Sequence, residues 1–275
     1  MKRRTFLLLV AFASVAMAVL GCGISCRTST AVSKNPTVDK IQQRGTVLVG
    51  TTGDYRPLSY REPETGEYWG FCLDVAGEIA KAMDATVSYV PTSWPTLTAD
   101  VLAEPQAFDF AIGGITITDA RKETMDMSEG YLGNGKTILC RKEDVSKYTC
   151  QEDLNHPQVR VMVNPGGLNE KFARANLPNC TLIVFDKNEE IPNQVAEGHA
   201  DVMITEITEA PWYVQNDSRL AAPLLDKPFT RCQIGVLMRK GQKDLMDVVN
   251  TTIRQMKADG RLKALHEKYG LQYAF

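Results

Sequence analysis

The sequence predicts an α/β fold built on mostly parallel sheet, and three observations carry that prediction. Strand-like apolar runs alternate with helix-periodic ones through the body of the 275-residue chain. No internal repeat or low-complexity segment interrupts them. What remains after an N-terminal export segment, about 250 residues, exceeds one typical domain and falls short of two large ones.

In chain order, Met1-Lys2-Arg3-Arg4-Thr5 is followed by an apolar run over 6–20 broken only by Ser14. A short positive stretch, an apolar run of this length and small residues after it describe a secretory signal, read here as residues 1–21. The run is too short for a membrane-spanning helix, and no later segment is apolar enough to be one. The protein is therefore expected to be periplasmic or otherwise exported. Val19-Leu20-Gly21-Cys22 resembles a lipobox, and residues 22–37 would suit a flexible tether. Two outcomes stay open: a lipid on Cys22 that anchors the protein to a membrane, or cleavage nearby and a soluble product.

In the body, segments 46–51, 86–90, 108–112, 159–163, 182–185 and 202–205 read as strands. Val75, Ile79 and Met83 recur at helical spacing, and Phe172, Ala175 and Leu177 do so less cleanly. Leu245, Val248, Val249, Ile253 and Met256 form one apolar helix face. Two stretches, 136–141 and 232–238, are candidates for crossings between lobes.

Composition excludes several classes. The formal charge is −2, the isoelectric point is near 6.0, and no basic run rises above a solvated helix face, so nucleic acid is not an expected partner. Five of the cysteines (Cys72, Cys140, Cys150, Cys180, Cys232) fall in the folded body, an odd number that leaves at least one without an internal partner. There is no C-x-x-C, and His156, His199 and His266 are scattered. Neither a metal site nor a histidine-based triad has support, and no cofactor is expected.

Four segments carry chemistry. Asn164-Pro165-Gly166-Gly167 joins a strand to a helix; glycines there let a ligand approach the backbone, and the free N–H groups of a first helical turn favour an anion. Lys171 and Arg174 add positive charge nearby. Gly113-Gly114-Ile115-Thr116-Ile117-Thr118 followed by Arg121 is a second such turn, whose hydroxyls and guanidinium suit a carboxylate; Thr118 equally suits an N-cap. Thr51-Thr52-Gly53-Asp54-Tyr55 and Pro91-Thr92-Ser93-Trp94-Pro95 fall at strand ends, where open α/β sheets bind ligands. Glu206 and Glu209 follow the strand 202–205. Carboxylates at a helix start often only complement its dipole, and the pattern alone gives Glu209 no reason to face a cleft.

Taken together, these residues resemble the type II periplasmic solute-binding proteins, of the family that binds polar amino acids, from about residue 38 to 269. More narrowly, TTGDY (51–55), PTSWPTL (91–97), YLGNGKT (131–137), NPGGLNEKFARANL (164–177) and the stretch from Met203 to Glu209 resemble the periplasmic cyclohexadienyl dehydratases. The GGITIT-x-x-R run is shared with plain binding proteins. The resemblance implies two lobes joined by a two-stranded hinge with a cleft between them. Lobe 1 would comprise residues 38–137 and 232–275, and lobe 2 residues 138–231. It also implies conversion of prephenate to phenylpyruvate, or of arogenate to phenylalanine, by loss of CO2 and water.

By position, Glu209 resembles the catalytic glutamate and Lys136 a lysine lining the same cleft. Trp94 resembles the aromatic wall and Asp54 an acid at the cleft edge. Thr116, Arg121, Asn164, Gly166 and Gly167 resemble substrate-holding positions. Leu168 stands where a threonine is expected, Cys72 where an aspartate is more usual, and Glu206 where aspartate is commoner. The segment 188–192 departs from the pattern, so the wall of lobe 2 is expected to differ. The alternative is a non-catalytic receptor that delivers an amino or keto acid to an ABC importer. Either way the expected partner is a small carboxylate: prephenate, arogenate or an amino acid.

Overall fold

The computed structural model describes residues 37–271. The signal segment 1–21, Cys22 and the stretch up to residue 36 lie outside the described residues; Thr37 already opens the helix Thr37–Arg44.

Two five-stranded sheets organise the described chain. In the first, Thr46–Thr51 pairs in parallel with Thr86–Pro91 and Phe110–Ala111, and Leu237–Arg239 returns antiparallel between Phe110–Ala111 and Met125–Met127. In the second, Arg160–Val163 lies parallel to Thr181–Val184 and Val202–Glu206, while Lys136–Arg141 runs antiparallel to Val202–Glu206 and Leu220–Ala221. The expectation of mostly parallel sheet is therefore corrected. Each sheet has a parallel part and an antiparallel flank, because the strand entering a sheet after each crossing runs against its neighbours. A smaller three-stranded antiparallel sheet follows the first strand.

The crossing is also relocated. Leu132–Asn134 pairs antiparallel with Cys232–Ile234 as a two-stranded ribbon, and Lys136–Arg141 belongs to the second sheet. Burial gives the reason: 136–140 is buried at every position, as an interior strand must be. Gly135 makes the change of direction, and a Cβ there would lie 2.2 Å from the Thr230 carbonyl oxygen, so only glycine fits.

Sequence periodicity explains the cores. Helix Lys243–Ala258 buries Leu245, Val249, Thr252, Ile253 and Met256, and helix Phe71–Lys81 buries Val75 and Ile79 in the same cluster. In the second sheet the period of two sends Ile138, Val161, Val163 and Ile204 to one face, and Leu139, Met162 and Met203 to the other. Each such aliphatic side chain contributes about 1.5–3 kcal/mol on burial. Helix Leu168–Asn176 anchors through Ala173, not Ala175, which is exposed. All five body cysteines are free thiols. No described helix is long and apolar enough to cross a membrane, and the described residues contain no His, Cys, Asp or Glu cluster able to hold a metal.

Candidate functional site

The carboxyl ends of the parallel strands in both sheets converge on one cleft. It is partly open to solvent and is lined by residues that include Trp94, Thr116, Arg121, Lys136, Asn164 and Glu209.

Strand Val202–Glu206 brings Glu206 to its end, and Glu209 follows as N-cap of the helix Ala210–Asn216. The two carboxyls are neighbours with opposite environments. Glu206, 4% exposed, receives Lys136 Nζ at 2.5 Å on Oε1. Its Oε2 accepts from Asn134 Nδ2 at 2.6 Å and from the Tyr55 hydroxyl. Burial alone would raise this carboxyl, but the Lys136 charge and these donors outweigh it and hold Glu206 below the ordinary value. It is an anion.

Glu209 is 0% exposed and, among the described residues, forms no ion pair with a cation. Its Oε2 accepts from the Thr205 hydroxyl and its Oε1 from Tyr213 at 3.3 Å. Burial pushes its carboxyl up to about 8; Thr205 opposes this, while the charges of Glu206 and Asp54 add to it. At neutral pH it therefore carries a proton.

Lys136 also donates to Asn169 Oδ1 at 2.5 Å, which ties it to the turn 164–167. That turn has Gly166 at φ 71° and Gly167 as N-cap of helix Leu168–Asn176, with no side-chain cap. The cation beside it is Lys136. Lys171 is exposed, and Arg174 pairs outward with Glu170 at 2.8 Å, so neither supplies the expected charge. On the opposite wall, Thr118 caps the helix Asp119–Thr124 by accepting from Arg121 N at 3.2 Å. Arg121 Nη1 donates to the Thr116 carbonyl at 2.5 Å, which fixes the guanidinium over the turn. Among the described residues Arg121 forms no ion pair, which leaves donors for a ligand anion. Burial lowers its pKa, with Glu206 opposing, and a guanidinium stays charged throughout.

Trp94 stands edge-on to Tyr55, with ring centroids 5.9 Å apart, as an aromatic wall. Leu168 lines the same cleft. Two expected ligand positions play other parts. Asp54 does not line the cleft; its Oδ1 accepts from Trp94 Nε1 at 3.0 Å, so it orients the wall. Burial raises its pKa; a Thr52 hydrogen bond opposes this and the Glu189 charge adds to it. Gly166 also stands off the lining: a Cβ there would meet Pro95 Cα at 2.6 Å, so it is where the two lobes' backbones touch. Sequence reasoning places the cluster ending in Tyr55 at a strand end without giving that residue a role, and it gives none to Asn134, Asn169, Asn188 or Tyr213. The strand-end rule signals Tyr55 and its turn signals Asn134; the others carry no local signal. Cys72 lies under the Gly113–Gly114 turn with Tyr131 donating to it at 3.3 Å, and burial pushes its thiol up to about 12.

Residues 47–272 match the bacterial extracellular solute-binding proteins, family 3. The chain belongs to that family. Its type II periplasmic-binding-protein fold, two lobes on a two-stranded hinge, is shared with solved relatives. This family 3 protein is 35% identical to the cyclohexadienyl dehydratase of Pseudomonas aeruginosa over 81% of this chain and 82% of that enzyme. It is 36% identical, with a TM-score of 0.77, to the ancestral amino acid-binding protein AncCDT-1, a precursor of cyclohexadienyl dehydratase, over 86% of this chain and 99% of the other. To a variant of an ancestral cyclohexadienyl dehydratase, AncCDT-3, the identity is 48% with a TM-score of 0.52, covering 86% of this chain and 96% of that one. The family thus holds both binders and enzymes.

Proposed function

We propose that this protein is an exported cyclohexadienyl dehydratase, acting on prephenate or arogenate with Glu209 as general acid. The observation that carries the reading is the buried Glu209, held only by hydroxyls, beside a Glu206 paired with Lys136: two carboxyls whose environments push their protonation in opposite directions, as acid chemistry at neutral pH requires. A pure receptor has no use for a buried neutral acid in its cleft.

Arg121 and Thr116 grip one carboxylate by charge-assisted bonds, while Lys136, Asn164 and Gly167 face the other. Trp94 and Tyr55 wall the ring. Glu209 gives its proton to the ring hydroxyl, the C–O bond breaks and water departs. The C–C bond to the ring carboxylate breaks with it, its electron pair enters the ring and CO2 leaves. Aromatisation drives both cleavages. Closure of the lobes excludes water and strengthens every charged contact. The signal segment 1–21 would deliver the protein outside the cytoplasm, and a lipid on Cys22 would hold it at a membrane.

The second reading is an amino-acid receptor for an ABC importer. The Thr116–Arg121 turn favours it, since that turn holds a carboxylate whatever chemistry follows, and so does the similarity to the amino acid-binding AncCDT-1. Against it, Glu206, the ionised carboxylate of the cleft that could receive a ligand ammonium, already holds three donors, from Lys136, Tyr55 and Asn134, an arrangement that disfavours the ammonium of arogenate as it does that of a free amino acid and favours prephenate. The deciding experiment is phenylpyruvate formation from prephenate by the purified mature protein beside Glu209→Gln. Turnover that falls at least about a hundredfold in the variant supports the dehydratase. Absence of turnover, with tight calorimetric binding of an amino acid, would make the protein a receptor.

A further inference from the structure

The cleft's hydrogen-bond inventory leaves one side-chain acceptor open. Both oxygens of Glu206 hold donors, and so do both oxygens of Glu209. Asn169 Oδ1 receives Lys136 at 2.5 Å, and Asn164 Oδ1 receives Asn169 Nδ2 at 3.4 Å. Among the amide and carboxylate oxygens of the cleft-lining side chains, Asn188 Oδ1 alone has no partner in the described residues, though Asn188 is only 4% exposed. Its orientation is fixed. Nδ2 donates across the lobes to the Asp54 carbonyl at 2.9 Å, and turning the amide over would set oxygen against oxygen. A buried acceptor without a donor costs free energy unless the ligand brings one.

Prephenate carries two carboxylates, a ketone and one hydroxyl. With both carboxylates ionised, its single hydrogen-bond donor is the ring hydroxyl, the group that departs. Building on the dehydratase reading, we infer that Asn188 Oδ1 accepts the hydrogen of the ring hydroxyl and so turns that oxygen's lone pair toward Glu209. Asn188 is then a substrate-orienting residue in the segment where lobe 2 departs from the family pattern. It discriminates for ligands that carry a donor at that end of the cleft.

The test uses the full mature chain carrying Glu209→Gln, which binds without turning over and keeps a donor at position 209. Calorimetry compares prephenate with its analogue in which hydrogen replaces the ring hydroxyl. The expected preference for prephenate is about tenfold or more, the worth of one buried hydrogen bond. Adding Asn188→Ala should level the two ligands to within about twofold. If Asn188→Ala weakens both ligands equally, the residue serves only the lobe contact with Asp54 and the inference fails. In that case prephenate turnover by the otherwise unaltered protein would leave the dehydratase reading standing. Neither binding nor turnover of prephenate would overturn both.

Discussion

Replacing Glu209 by glutamine removes the proton that the cleft holds at neutral pH while keeping the side chain's shape, and its consequences reach stability as well as catalysis. The carboxyl sits at about 8 in the folded protein against an ordinary 4.5. At about 1.4 kcal/mol per pH unit, that displacement corresponds to a ceiling of about 5 kcal/mol. The folded state binds this proton more tightly than the unfolded state does. The contribution is therefore fully present below pH 4.5, declines as pH rises, and is lost once pH passes about 8. Glutamine does not titrate. Denaturant unfolding of both proteins at about pH 5, 7 and 9 should thus show the variant gaining on the parent by several kcal/mol across that range, then levelling. Turnover of prephenate should follow the same group, flat below about pH 8 and falling tenfold per unit above it. A stability difference that does not change across that range would refute the reasoning, because Glu209 would then titrate alike in both states.

The remaining predictions concern the groups around it. Lys136→Met strips the cation from a buried carboxylate and should cost about 3–5 kcal/mol, read as a lower denaturation midpoint, with prephenate turnover falling alongside. Arg121→Lys loses the planar fork that matches a carboxylate, so KM for prephenate, or Kd for any carboxylate ligand, should rise roughly tenfold to a hundredfold, by kinetics or calorimetry. Gly166→Ala combines a left-handed φ of 71° with a Cβ 2.6 Å from Pro95 Cα. It should cost about 1–2 kcal/mol from backbone conformation alone. Small-angle scattering with ligand should show a more open molecule.

Much of the fold is legible in the sequence because it rests on local periodicity. The face of Lys243–Ala258 can be read one residue at a time, and so can the strand ends that deliver Thr116, Asn164 and Glu206. Sequence reading misplaces the crossing by a few residues because a hinge strand and an interior strand are both short apolar runs; only Gly135 between them marks the change. The site is legible in its members and illegible in their states. Glu209 gains its proton from burial and from Asp54 and Glu206, and Glu206 keeps its charge through Lys136, Asn134 and Tyr55, the last 151 positions away in sequence. Such pairings are made by lobe packing, so no spacing rule reports them. Motif assigns Asp54 and Gly166 to the ligand, yet one orients Trp94 and the other meets Pro95, distinctions that depend on direction and not on position.

The complete enclosure of Glu209 has a kinetic consequence. An acid sealed from solvent holds a single charge of ammunition: once its proton has left with the hydroxyl, nothing inside the closed cleft can reload it. On the dehydratase reading, each catalytic cycle must therefore include one full opening of the lobes, however fast the bonds break. Below about pH 8, where the acid is loaded, the rate ceiling would then belong to the opening of the hinge ribbon Leu132–Asn134 and Cys232–Ile234. Solvent viscosity should slow turnover in a way that substrate concentration cannot relieve.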